Sequence, residues 1–191
     1  MPPPAFERKI LAPADAARWA ARLARPLVFT NGVFDILHRG HVTYLARARE
    51  LGAALLVALN SDASARRLGK GADRPINPLE DRLAVLAALA SVDAATWFEQ
   101  DTPDALVAAA RPEVLVKGGD WPVEHIVGAS EVLARGGAVH SIPFEHQRST
   151  TALLRRVGAA ARAATRKKVR RVLAAASKRR GARSPARRKG R

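Results

Sequence analysis

Two histidines three residues apart are the first chemistry the chain offers. His38 and His41 flank Gly40 in Leu37-His38-Arg39-Gly40-His41, directly ahead of the helical pattern Val42-Thr43-Tyr44-Leu45-Ala46. A helix start presents unpaired N–H groups and the positive end of the helix dipole, so it receives phosphate. Two imidazoles at such an end can hydrogen-bond one polyphosphate together. Gly32, six residues upstream of His38, permits a turn or a close approach of backbone to ligand. A zinc reading fits less well. A zinc-binding HExxH helix spaces its histidines by four and supplies a glutamate, whereas here the spacing is three and Arg39 and Gly40 intervene.

These residues need a frame. Leu27–Thr30 (LVFT) is the first candidate strand, followed by Leu55–Asn60, Ala94–Glu99, Val114–Lys117 and Ala138–Ile142. Helical patterns lie between them at Val42–Leu51, Pro78–Ala90, Pro103–Ala110 and Val123–Arg135. Strands separated by single helices predict βαβ units and a parallel sheet. The expected fold class is α/β, a Rossmann-like three-layer sandwich on a five-stranded parallel sheet. Asp15 is placed to cap a lead-in helix that ends before Pro26, and Asn77 to cap a helix whose first residue is Pro78. The expected division is a helical lead-in over 1–25, a catalytic domain over 26–158 and a basic tail over 159–191.

In open parallel sheets ligands gather at the carboxyl ends of the strands. Several further residues fall there. Asp35 and Asp62 follow strands one and two, where they can accept hydrogen bonds from sugar hydroxyls or cap helices. Lys117-Gly118-Gly119-Asp120 follows strand four; its glycines suit close approach, and Asp120 suits a ribose or another sugar hydroxyl. Lys70 sits on the loop Leu68-Gly69-Lys70-Gly71, either closing over phosphates or simply solvated. Ser149, Thr150 and Thr151 offer hydroxyls at a helix start, for phosphate or as a cap. Arg82 either reaches phosphate or pairs with a carboxylate. Trp97 is read as core or wall, Trp121 as a neighbour of the sugar, and His125, His140 and His146 as ordinary surface residues.

Composition limits the rest. The chain has 191 residues, 48% hydrophobic and 26% charged, and no cysteine. Disulfides, thiolate nucleophiles and zinc–cysteine sites are therefore excluded. No apolar run is long enough to span a bilayer, and Met1–Lys9 (MPPPAFERK) lacks the apolar core of a secretory signal. A cytoplasmic location is expected. The net charge of +16 is unevenly placed. Residues 155–191 hold 16 Lys or Arg and no acidic residue, while residues 1–154 hold the other 17 basic and all 17 acidic residues. The body is balanced, and the excess describes the tail.

The stretch Gly32–His41 (GVFDILHRGH) resembles the HxGH signature of the nucleotidyltransferase superfamily. Asn60–Asp62 (NSD), Lys70–Arg82 (KGADRPINPLEDR), Asp101–Pro103 (DTP), Val116–Trp121 (VKGGDW) and Ser149–Thr151 (STT) resemble, more narrowly, the adenylyltransferase domain of ADP-heptose synthases. The resemblance covers residues 8–157. It implies transfer of AMP from ATP to D-glycero-β-D-manno-heptose 1-phosphate, giving ADP-heptose and pyrophosphate for the lipopolysaccharide inner core. Under it, His38, His41 and Lys70 carry the catalytic charge. Gly32, Phe34, Gly40, Arg82, Lys117, Gly118, Gly119, Ser149, Thr150 and Thr151 bind nucleotide or phosphate, and Asp35, Asp62 and Asp120 bind sugar or ribose. Mg²⁺ would arrive with ATP and keep most of its waters, and no protein metal site is expected. A homodimer is implied. So is a monofunctional enzyme, since residues 1–26 leave no room for the sugar kinase fused ahead of this domain in many bacteria.

Two rivals remain open at this point. One is another HxGH enzyme, such as a glycerol-3-phosphate cytidylyltransferase. The other is a basic nucleic-acid-binding protein on an inactive scaffold, against which the intact His38, His41, Lys70 and STT block argue. The tail itself has three readings: a solvated arm, a sequence-independent nucleic-acid binder, or an attachment to the anionic membrane surface. It has no aromatic residue, so base stacking is unsupported.

Overall fold

The computed structural model describes residues 2–69, 74–145, 153, 155–160, 162 and 165–169. It divides into two compact units, Met1–Arg148 and Ser149–Arg191.

In the first unit five strands form one sheet: β1 (Leu27–Gly32), β2 (Ala54–Asn60), β3 (Ala94–Phe98), β4 (Val114–Gly118) and β5 (Ala138–Ile142). Their order is β3-β2-β1-β4-β5, and every neighbouring pair runs parallel. Side chains alternate across a strand, so each strand feeds two cores. Leu27 and Phe29 of β1 join Leu56, Ala58 and Leu115 on one face, covered by α1 (Ala16–Ala20), α5 (Asp104–Ala110) and α6 (Ala129–Ala134). Val28 joins Leu55, Val57, Leu59 and Val116 on the other, covered by α2 (Arg39–Arg49) and α4 (Leu79–Ala87). Every residue of β2 is buried, as a strand covered on both faces requires. The three-layer architecture matches the expectation.

The chain builds β1, β2 and β3 outward in one direction, then returns to lay β4 on the other side of β1. The order therefore reverses between β1 and β4, and a crevice opens beyond their carboxyl ends. Lys117 spans this point, its Nζ donating to Asn31 Oδ1 at 3.1 Å.

Several boundaries differ from the sequence reading. α2 starts at Arg39, three residues early, because His38 in extended conformation is already its N-cap. The expected helix over 123–135 is a short 3-10 turn (Val123–His125) and then α6; Gly128 separates them with φ 87°, where a Cβ would press on Val107. A further helix, α3 (Asp62–Arg67), follows β2, capped by the Ser61 hydroxyl accepting from the Ser64 N–H. The cap of α4 is Pro78, not Asn77. Asp15 occupies the N-cap of α1 but caps nothing with its side chain, which pairs with Arg18 instead. The lead-in helix is short, and Ala16, Trp19 and Ala20 bury it in the core.

In the second unit the described residues of 153–169 are helical and lie on the surface, except the half-buried Gly158.

Candidate active site

His38 and His41 stand at the carboxyl end of β1, where the loop 33–38 turns into α2. Their rings stack, with centroids 3.9 Å apart and planes 16° from parallel. Phe34 meets His41 edge-on at 5.4 Å, and Phe144 does so at 6.1 Å from beyond β5. Phe34 adopts φ 47°, left-handed backbone that non-glycine residues rarely take and that recurs at functional sites. Its ring lies 3.0 Å from where a Cβ on Gly32 would stand, which explains the glycine there. No side chain among the described residues caps the N-terminus of α2, so the N–H groups of its first turn have no side-chain acceptor there.

Burial drives His41 down to about 4, with the neighbouring His38 adding to the effect. His38 is lowered by burial as well, partly opposed by a hydrogen bond of its own backbone. Both rings are therefore neutral at pH 7. Each keeps a buried Nδ1 without a hydrogen-bond partner among the described residues. Buried polar atoms are normally satisfied, so two unsatisfied nitrogens on stacked rings mark a place where something polar binds.

Beneath the pair lies a polar floor of the opposite character. The Asp35 carboxylate accepts from the N–H groups of Ile76 (2.9 Å) and Asn77 (2.9 Å), and Arg74 Nε lies 2.7 Å away as a charge contact. Only 1% of the Asp35 side chain is exposed. Its expected role toward a sugar is thus replaced: it ties the segment 74–77 to the histidine loop. Asn77 completes the tie by donating to Asp35 O at 2.7 Å. Arg82, fully buried, donates to the carbonyls of Val33 (2.7 Å), Asn60 (3.0 Å) and Asn77 (3.1 Å) and to Asp62 Oδ1 (2.6 Å). Of the two readings for Arg82, the ion pair is the one observed, and four of its five N–H donors are taken by these partners. Asp62 is correspondingly the partner of Arg82 at the first turn of α3 rather than a free sugar acceptor.

The third wall is the end of β4. Gly118 makes room for Phe144, whose ring would lie 2.8 Å from an added Cβ, and Gly119 takes φ 120°. Ser141 Oγ donates to Gly119 O at 2.7 Å and accepts from the Trp121 N–H at 2.9 Å, locking this turn onto β5. Trp121 is half exposed, its indole N–H bonded to Gly118 O at 3.2 Å, and Asp120 beside it is exposed. Trp97 is half-buried, and His125 and His140 are exposed. Lys70, His146, Ser149, Thr150 and Thr151 lie outside the described residues.

Four contributors escaped the sequence reading: Asn31, Tyr44, Ser141 and Phe144. The Tyr44 hydroxyl, buried between Thr30 and Val116 O, ties α2 to β1 and β4, and burial pushes it well above the ordinary phenol range. An aromatic residue just beyond strand five was the available signal for Phe144. The other three had only their strand-end or helix-face positions to offer.

Residues 29–156 match the model of the cytidylyltransferase-like family. The chain is 57% identical over 154 residues to a D-beta-D-heptose 1-phosphate adenylyltransferase of Bordetella bronchiseptica, covering 80% of this chain and 95% of that protein. It is 54% identical over 138 residues to the bifunctional protein HldE of Salmonella arizonae, of which it spans 29%. Among solved structures, a lipopolysaccharide core biosynthesis protein from Thermoplasma volcanium superposes with TM-score 0.52 at 30% identity, over 64% of this chain and 98% of that one. A pantoate-beta-alanine ligase from Francisella tularensis, 14% identical, shares the fold with TM-score 0.50 over 74% of this chain and 68% of its own.

Proposed function

The chain belongs to the cytidylyltransferase-like family, and on that premise we propose that it transfers AMP from ATP to D-glycero-β-D-manno-heptose 1-phosphate, releasing pyrophosphate and ADP-heptose. The observation that carries this reading is the 57% identity that runs along 95% of a heptose 1-phosphate adenylyltransferase. The histidine pair supplies the physical basis.

In the reaction a phosphate oxygen of the sugar attacks the α-phosphorus of ATP in line. One P–O bond forms, the bond to the pyrophosphate oxygen breaks, and pyrophosphate leaves with the electron pair. A phosphate monoester is largely ionised near pH 7, so no strong base is needed. The barrier is lowered by positioning and by stabilising charge on the α-phosphate and the leaving group. Neutral His38 and His41 rings donate N–H bonds at the positive end of α2, where that charge gathers. Arriving triphosphate raises the affinity of both rings for a proton, so the bonds strengthen as charge develops. Lys70, Ser149, Thr150 and Thr151 are assigned to the phosphates, Lys117, Gly118 and Gly119 to the crevice wall, and Asp120 to a sugar or ribose hydroxyl. Magnesium enters as the MgATP substrate. The carboxylates of Asp35 and Asp62 are committed to the floor, and no cluster of metal-ligating side chains occurs among the described residues.

No helix among the described residues is long and apolar enough to cross a membrane. Dependence on ATP places the reaction in the cytoplasm under this reading. The family reading also carries a homodimer, which light scattering on the purified chain checks.

The test is pyrophosphate release by the purified chain, offered ATP or CTP with heptose 1-phosphate or glycerol 3-phosphate. Turnover confined to ATP with heptose 1-phosphate is expected. Turnover with CTP and glycerol 3-phosphate would replace this function with the rival one.

A further inference from the structure

Phe144, just beyond β5, takes no part in the chemistry above, yet its ring is placed with care. It meets the His41 ring at 6.1 Å with planes 82° apart, and the Tyr44 ring at 5.7 Å with planes 68° apart. Both are edge-to-face contacts at normal aromatic separations. Where Gly118 ends β4, an added Cβ would stand 2.8 Å from Phe144 Cζ. The ring therefore fills the space that a side chain at position 118 would take.

Phe34 repeats the construction. It meets His41 at 5.4 Å with planes 65° apart, and its ring lies 3.0 Å from where a Cβ on Gly32 would stand. Gly32 ends β1, the sheet neighbour of β4. Two adjacent strands thus end in glycines, each glycine seats one phenylalanine, and both rings converge on the imidazole of His41.

Such a bracket has a physical use. Torsion about the Cβ–Cγ bond of histidine is broad, so its rotamer alone does not settle where the ring nitrogens point. Stacking on His38 constrains the His41 plane against one neighbour only. Rings standing nearly perpendicular to it resist the rotation that would break the stack. An in-line transfer is sensitive to this placement, since an error of about 1 Å can cost on the order of 10²-fold. We propose that Phe144, seated on Gly118, is a positioning residue for adenylyl transfer, its ring holding the His41 imidazole in the plane from which it meets the triphosphate. The proposal rests on the enzymatic reading above and adds to it a residue that acts through His41. Phe144 also shields His41 from water, which is part of the burial that keeps that ring neutral.

The experiment takes the full chain as wild type, F144A, F144L, G118A and G118A/F144A. Transfer kinetics, urea unfolding and an NMR titration of His41 in the nucleotide-free protein are measured on each. F144A should lower kcat by about 10- to 100-fold and leave KM for ATP within about twofold of wild type. Its urea midpoint should barely move, because Phe144 is 39% exposed. His41 should titrate above its value of about 4, toward 6.5, as water reaches the ring. F144L keeps the bulk and should restore most of both properties. G118A displaces the ring while Phe144 itself is intact, so it should lower kcat in the same way. In the double variant the two losses should fail to multiply, since the displaced ring is already gone. The Tyr44 ring, 3.2 Å from the same Cβ, is present in both backgrounds and cancels in this comparison. A raised KM for ATP with kcat retained in F144A would make Phe144 a nucleotide contact and overturn the proposal. Losses that multiply, or a His41 titration unchanged in F144A, would overturn it equally. The titration needs no substrate. A wild type inactive on heptose 1-phosphate, with His41 still shifted by F144A, would therefore refute the enzymatic reading and leave the hold of Phe144 on His41 standing.

Discussion

Two groups of polar side chains meet where β1 and β2 end, and they are built to opposite rules. In the floor, the Asp35 carboxylate and the Arg82 guanidinium are buried and hydrogen-bonded, with three backbone carbonyls and Asp62 around the arginine alone. In the mouth, His38 and His41 are half-buried and each holds a nitrogen that meets no partner among the described residues. A buried guanidinium bonded to several backbone carbonyls rigidifies the backbone that surrounds it. A pair of neutral rings with unmet nitrogens is held ready for a ligand. The difference divides the work: the floor fixes the loops after β1 and β2, and under the proposed function the mouth receives the triphosphate. Function then follows from what is left unsatisfied rather than from what is most charged.

The sharpest way to break this division is to move each effect to the wrong region. Arg82→Met should destabilise the protein by about 3–5 kcal/mol, because Asp62 and three carbonyls lose their partner in the interior. Urea unfolding reads it, and a loss below about 1 kcal/mol would mean the floor is not structural. His38→Ala and His41→Ala should each lower kcat by about 10²-fold or more, worth about 2.7–4 kcal/mol of barrier, with the urea midpoint nearly unmoved. A variant in which stability falls and kcat survives would put that histidine in the floor instead.

A smaller effect appears with pH. Burial, reinforced by His38, holds His41 at about 4, below its ordinary 6.5. As pH falls, the unfolded chain takes up the proton first, so stability is complete above pH 6.5 and drains between 6.5 and about 4. Comparing the unfolding free energy of wild type with His41→Gln across that window isolates the effect. The variant should show a shallower loss, and parallel curves would remove burial of His41 from the account. The least disruptive change is Asp120→Ala on the exposed rim. It should raise KM for one substrate more than for the other while leaving stability unchanged, and the substrate affected identifies the hydroxyl it meets.

The strands were legible because buried parallel strands read as short apolar runs, and β5 lies at Ala138–Ile142 as its sequence suggests. The histidine pair was legible for a different reason: strand end, glycine and helix start lie within one dozen residues, so local sequence holds the whole arrangement. α3 was hidden because DASARR carries no apolar stripe, and its start depends on a Ser61–Ser64 bond. The floor was hidden because its partners are distant in sequence. Asp35 is tied to residues 41 and 42 positions away, and Arg82 to a carbonyl 49 positions away. No spacing rule announces that a helical arginine will be the largest fully buried side chain of the domain.

The central claim is that His38 and His41 together hold the triphosphate of ATP, and ¹⁵N NMR of histidine-labelled protein tests it most directly. Titration with MgATP carrying a non-hydrolysable α,β-bridge should shift the ring nitrogens of both residues, and His41 should titrate well above about 4 in the complex. Saturating nucleotide that leaves both rings at their free positions, with the titration of His41 unchanged, would contradict it.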